Sequence, residues 1–94
     1  MNLKENHASD ASVSAKSIFK GEGNAISLQI LKDQTLKEHL TKVPALLICV
    51  SGEVVFENEL GEKTNLKPSD IFNIAANVKH WVVAKNDSQL LLLK

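Results

Sequence analysis

An all-β chain, folded as an antiparallel sandwich or barrel, is predicted by three observations. Apolar residues come in runs of strand length, turn-forming clusters interrupt those runs at regular spacing, and no segment carries an apolar stripe long enough for a helix. The breaks are Gly21-Glu22-Gly23-Asn24, Lys32-Asp33-Gln34, Asn58 to Lys63, Lys67-Pro68-Ser69-Asp70, Ala76-Asn77 and Asn86-Asp87-Ser88. With 94 residues, the chain can bury one core and forms one domain.

The first fifteen residues are Ser, Ala, Asn and charge without periodicity. They predict a polar, mobile tail over 1–15, with His7 solvated in it, ahead of one barrel domain over 16–94. Strands are expected at 17–20, 25–32, 35–40, 44–50, 53–58, 63–66, 71–75, 80–85 and 89–93. Thr35 to Thr41 is the best helical candidate, but it lacks a second apolar turn, and an isolated helix so short is marginal. Many short strands at even spacing point to a closed or double-layered antiparallel architecture.

All eleven basic residues are lysine, balanced by eleven Asp and Glu. Without the arginine fork that grips phosphates and guanine edges, and without net positive charge, a nucleic-acid partner is not expected. Cys49 is the single cysteine, so no internal disulfide forms, and its place in Leu46-Leu47-Ile48-Cys49-Val50 reads as a small buried hydrophobe. No apolar segment approaches a signal-peptide core or the roughly 18 residues of a membrane span. A cytoplasmic protein with no membrane partner is the expectation.

Two further motifs run through the barrel region. Asp33, His39, Thr41, Ala45 and Gly52 fall at the spacing glycine, five residues, histidine, one residue, histidine, three residues, glutamate, six residues, glycine. Ser69, Ala75, Asn77, His80 and Ala84 fall at a second spacing of glycine, proline, glycine, histidine and asparagine. On these grounds the segment from Ser17 to Lys94 resembles a small single-domain cupin, of the conserved-barrel type, with degenerate metal-binding motifs. The resemblance implies an antiparallel jelly-roll barrel in which His39 and His80 stand at metal-ligand positions. Thr41 and Ala45 replace a histidine and a carboxylate, so the implied cofactor is none or a weakly bound divalent transition metal. Asn77 tolerates the left-handed turn that the motif's glycine would supply, whereas Ser69 suits a type I turn better than a type II.

The residues alone extend this reading. Along 44–50, Ala45, Leu47 and Cys49 share one face and Leu46, Ile48 and Val50 the other. Both faces are apolar, as they are in Leu90-Leu91-Leu92-Leu93, and a small sandwich has one interior, so a homodimer is expected. Trp81 has the opposite parity to His80 and belongs to the core or a dimer face rather than to a pocket. Glu53, Glu57, Glu59 and Glu62 read as a solvated face, and no strand-to-helix nucleophile turn is present.

Three function classes follow. The first is a small-molecule-binding barrel whose pocket is formed by His39, Thr41, Ala45, Leu47, Phe56, His80 and Val82. The second is a small metal-dependent enzyme, an oxygenase or isomerase, using His39 and His80. The third is a dimeric interaction protein without a ligand. Loss of the carboxylate removes the anionic ligand and the obvious general base together, which favours the first and weighs against catalysis.

Overall fold

Within the segment Ala45–Ser51 the alternate side chains Ala45, Leu47 and Cys49 are buried, while Leu46 and Ile48 between them are only half-buried. That period of two is the signature of a strand with two environments, and it sets the architecture. A computed structural model describes residues 2–94. Among them are β1 (Val13–Lys20), β2 (Asn24–Ile30), β3 (Thr35–His39), β4 (Ala45–Ser51), β5 (Val54–Asn58), β6 (Lys63–Leu66), β7 (Ile71–Ile74), β8 (His80–Ala84) and β9 (Ser88–Leu93).

These strands form two facing sheets, one in the order β1-β2-β9-β4-β7 and the other in the order β3-β8-β5-β6. Neighbours are antiparallel throughout. The arrangement is an antiparallel jelly-roll barrel of two facing sheets, as the motifs implied. From β2 onward, the predicted strands end within two residues of the observed bounds. The sheets clasp one core, in which Ile30, Leu47, Cys49, Val54, Phe56 and Leu90 are at most 1 % exposed. The Cys49 thiol is buried, and burial first, then Asp70 and Glu53, push its pKa up. No helix among the described residues is long and apolar enough to cross a membrane.

The N-terminal segment departs from expectation. β1 begins four residues earlier than predicted, so a boundary at 15/16 cuts through a strand. Ahead of it, Lys4–Asn6 form one 3₁₀ turn laid on the five-stranded sheet. His7 is 6 % exposed rather than solvated, its Nδ1 2.7 Å from Ser14 Oγ and its Nε2 2.8 Å from Ser27 Oγ. Gln29 Nε2 donates to the carbonyls of Ala8 and Ala11, each at 2.9 Å. The sheet's outer face here is polar, and its buried Ser27, Gln29 and Gln89 need partners that water cannot supply. The first residues supply them to Ser27 and Gln29, while Gln89 Nε2 donates to Gln29 Oε1, and anchoring of this polar kind leaves no hydrophobic period to read.

The turns carry the motif. Asp33, Gly52, Ser69 and Asn77, the four positions at which the motifs have glycine, have φ of 65°, 84°, 78° and 61°. Each therefore takes the left-handed conformation for which glycine is the easiest residue. In Lys67–Asp70 the Asp70 N–H donates to Lys67 O at 2.9 Å, and Ser69 follows Pro68 with positive φ. This is a type II turn, so the strain that a type I turn would have relieved is present.

The outer face of the five-stranded sheet is apolar away from the N-terminal segment. Ile71, Ile48 and Leu91 form one cross-strand row, and Leu46 and Leu93 stand side by side two residues along the strands. Ile71 is 56 % exposed. On the other sheet, Trp81 is half-buried on the outer surface and its indole N–H donates to Glu57 Oε2 at 3.2 Å. Glu53 pairs with Lys85 at 3.4 Å on that same sheet's rim.

Candidate functional site

His39 is the last residue of β3 and His80 the first of β8, and the antiparallel ladder sets them directly opposite each other. Directly paired residues project to the same face, so both rings stand together at one end of the barrel. Their Nε2 atoms are 3.0 Å apart, and the ring centroids are 4.1 Å apart with the planes at 65°. Two histidines 41 positions apart in sequence thus meet, as the motif spacing implied.

Each ring is oriented from behind by its own strand. His39 Nδ1 lies 2.9 Å from Lys37 O, and His80 Nδ1 lies 3.3 Å from Val78 O, so both rings fold back on the carbonyl two residues earlier. A carbonyl accepts only, so each Nδ1 must carry the proton to make its bond. Both Nε2 atoms then present lone pairs to each other, and the short contact between them needs a third proton or a cation. Two neutral imidazoles bring two protons, which satisfy two of the three contacts. The pair therefore offers one place for positive charge.

Burial opposes that charge on the inner ring. His80 is 2 % exposed, and its pKa is lowered by desolvation first and by His39 next, with a smaller contribution from Lys94. The hydrogen bond to Val78 works in the other direction. Its ring stacks on Phe56 at 5.5 Å, and Phe56 stacks in turn on Phe72 at 4.3 Å, so an aromatic file runs inward from the histidine pair. Phe72 was not among the sequence candidates; as a half-buried residue in a four-residue strand, it gave no signal beyond being aromatic.

The remaining candidates fall into two groups. Thr41 is buried, and its hydroxyl donates to the carbonyl of Val43 within its own turn, so it caps backbone instead of presenting a free donor. Ala45, Leu47, Phe56 and Val82 are 6 %, 1 %, 1 % and 2 % exposed and pack as members of the hydrophobic core. They are packed into the core, with Phe56 stacked on Phe72, and they do not line the groove beside His39. Open space lies on the outer side of His39, in a groove of about 560 Å³ bordered by Val13, Leu36 and Lys37.

The donor set decides what a metal could find here. At a metal–nitrogen distance of about 2.1 Å, nitrogens 3.0 Å apart subtend roughly a right angle, suitable for two neighbouring ligands of one ion. No third His, Cys, Asp or Glu joins them among the described residues. Two imidazoles alone do not hold a first-row ion tightly, so the residues present do not fit a resident metal.

No protein-family model matches the sequence, and no curated protein does either. Solved structures do resemble the fold. A cupin superfamily protein from Desulfitobacterium hafniense superposes with a TM-score of 0.84 at 17 % identity, over 94 % of this chain and 81 % of that one. KdgF from Halomonas sp. gives 0.78 at 22 %, over 93 % and 82 %. A cupin 2 conserved barrel domain protein from Leptotrichia buccalis gives 0.85 at 21 %, over 99 % of this chain and 46 % of that one. The likeness establishes the cupin fold.

Proposed function

We propose that this cupin-fold chain is a non-catalytic binding barrel that takes a small molecule at its His39–His80 pair and holds no metal tightly. The observation that carries the reading is the Nε2–Nε2 contact, made while both Nδ1 atoms are committed to backbone carbonyls. A ligand reaches the pair by replacing that contact, since it is the one ring–ring bond that costs nothing in secondary structure to break. The filled core keeps the bound molecule at the mouth, where His39 borders the outer groove, instead of deep in the barrel. Among the described residues neither ring is hydrogen-bonded to a carboxylate that would support it as a general base, which weighs against chemistry at the pair.

The test is a fragment screen read on the imidazole nitrogens, with Zn²⁺ and Mn²⁺ titrated in parallel. Fragments that bind should shift the Nε2 signals of His39 and His80, leave His7 unmoved, and lose their effect in His80→Phe. Metal affinity should be weak in the native chain and rise at least about tenfold in Thr41→His with Ala45→Glu, each new donor replacing a water. Stoichiometric, tight metal in the native chain would overturn the proposal in favour of a metal-dependent oxygenase or isomerase. A screen without any response at either ring would overturn it in favour of a protein whose interface is its function.

A further inference from the structure

The residues ahead of β1 are held on the five-stranded sheet chiefly by polar contacts. The 3₁₀ turn Lys4–Asn6 buries no residue, and Leu3 before it is only half-buried. What fastens the segment is Gln29 Nε2 on the carbonyls of Ala8 and Ala11, and the His7 ring between the hydroxyls of Ser14 and Ser27. Docking does not satisfy every group. Asn6 Nδ2 in the segment and Gln89 Oε1 in β9 are buried without a partner among the described residues. Unmet polar atoms cost free energy, so the attachment is weak and depends on the ring.

The protons at that ring can be counted. Ser27 is fully buried and His7 Nε2 is its hydroxyl's partner, whereas Ser14 is half-buried and keeps access to water. In the neutral ring, the Ser27 hydroxyl donates to the Nε2 lone pair and the Nδ1–H donates to Ser14 Oγ, so every donor has an acceptor. A proton added to Nε2 takes away the acceptor of the Ser27 hydroxyl and sets a positive charge where the residue is 6 % exposed. Around the ring the segment carries Lys4, Glu5 and Asp10, all exposed, β1 presents Lys16, and the β8–β9 turn presents Asp87. β2 and β9 carry no charged residue. Burial first, then Lys16, lower the ring's pKa, so the charged form is favoured once the segment has left the sheet.

We propose that His7 is an acid-operated latch, whose protonation releases residues 2–11 from the outer face of the five-stranded sheet while the barrel stays folded. The core contains no residue of the segment, so nothing in it is lost on release. Release uncovers Ser27 and Gln29. Ser27 pairs with Leu91 and Leu91 with Ile48, which makes the uncovered ground continuous with the outer apolar row. The direction follows from linkage. With a depressed docked pKa, docking is complete above the ordinary 6.5, and each pH unit below it multiplies the released-to-docked ratio by up to about tenfold, until the docked pKa is passed. The latch is independent of any ligand at the histidine pair.

The test is NMR of the ¹⁵N-labelled native chain, with ring titrations and the heteronuclear NOE of residues 4–8 followed between about pH 7.5 and about pH 5. The NOE should start at barrel level and fall to that of a free tail with the same midpoint as the His7 ring, below 6.5, while the amides of β5 keep theirs. His7→Gln should abolish the pH dependence, and the native-chain readings decide the question alone if that variant does not dock its segment. A fall that persists in a docked His7→Gln assigns the release to a carboxylate and overturns the latch. A His7 ring that titrates while residues 4–8 stay rigid, a midpoint at or above 6.5, or a segment already mobile at the upper pH overturns it as well. Loss of the β5 signals together with those of the segment would mean global unfolding and refute a local release.

Discussion

Gly52 and Gly61 have nearly the same backbone conformation, φ of 84° and 85°, in different surroundings, so alanine at each separates conformational strain from steric exclusion. A Cβ at Gly61 meets nothing within 4 Å. Gly61→Ala therefore costs the left-handed penalty alone, about 1 kcal/mol once the lower unfolded-state entropy of alanine is counted. A Cβ at Gly52 would overlap Ser88 Oγ and the Asp87 carbonyl oxygen and sit 2.8 Å from Ser88 Cα. Ser88 has no room to yield: it is fully buried, and its hydroxyl joins Asn86 O at 2.7 Å and the Glu53 N–H at 3.1 Å. Overpacking adds about 1–3 kcal/mol and loosening of the Ser88 bonds about 1 more, for a total of about 3–5 kcal/mol. At roughly 4–8 °C per kcal/mol for a domain of this size, Gly61→Ala should lower Tm by about 4–8 °C and Gly52→Ala by about 12–40 °C. Thermal unfolding followed by circular dichroism reads both. Equal losses would show that Ser88 moves aside at little cost, and that the packing of the β4–β5 turn against the β8–β9 turn is not what demands glycine.

Ser69→Gly should stabilise the chain by about 0.5 kcal/mol, because relief of the left-handed strain exceeds the entropy cost of glycine, whereas Asn77→Gly should be neutral within error; urea midpoints decide between them. Acid should weaken the fold through His7, whose pKa is lowered by burial and then by Lys16, and through His80. For a histidine with a depressed native pKa the unfolded chain binds the proton more readily, so stability is complete above the ordinary value of 6.5 and declines as pH falls below it. Urea midpoints at about pH 7.5 and about pH 5 should show that decline, and His7→Gln should reduce it. The outer apolar row predicts a homodimer: sedimentation should give twice the 10.3 kDa chain mass at tens of micromolar, and Ile48→Lys should give the single chain. A native monomer would refute that face.

The strands were legible because burial imposes period two on residues such as Ala45, Leu47 and Cys49, and because every break between them carried its own turn chemistry. The meeting of His39 with His80 was legible from motif spacing, and the four left-handed turns uphold that spacing without a gap. The fate of Thr41 was not, because a hydroxyl's choice between a ligand and a nearby carbonyl depends on a loop geometry that spacing does not encode. Nor was the filled interior, since small and large apolar residues look alike as pocket lining or core until Phe56 and Phe72 are seen stacked. The N-terminal segment was hidden for a different reason. It is held by Gln29 on carbonyls and by His7 on two hydroxyls, contacts that leave no hydrophobic pattern in the sequence.

The last two strands lie in the middle of the sheets, β9 between β2 and β4, β8 between β3 and β5. A nascent chain emerging from a ribosome would have made β1 to β7 before either central partner existed, leaving the facing edges of β2, β4, β3 and β5 without their ladders. Only the β1–β2, β5–β6 and β4–β7 pairings are available to such a chain, and none of them joins the two halves of a sheet. Neither sheet can therefore close before β8 and β9 have both emerged, and until then the apolar edges of β2, β4, β3 and β5 are open to chaperones and to other nascent chains.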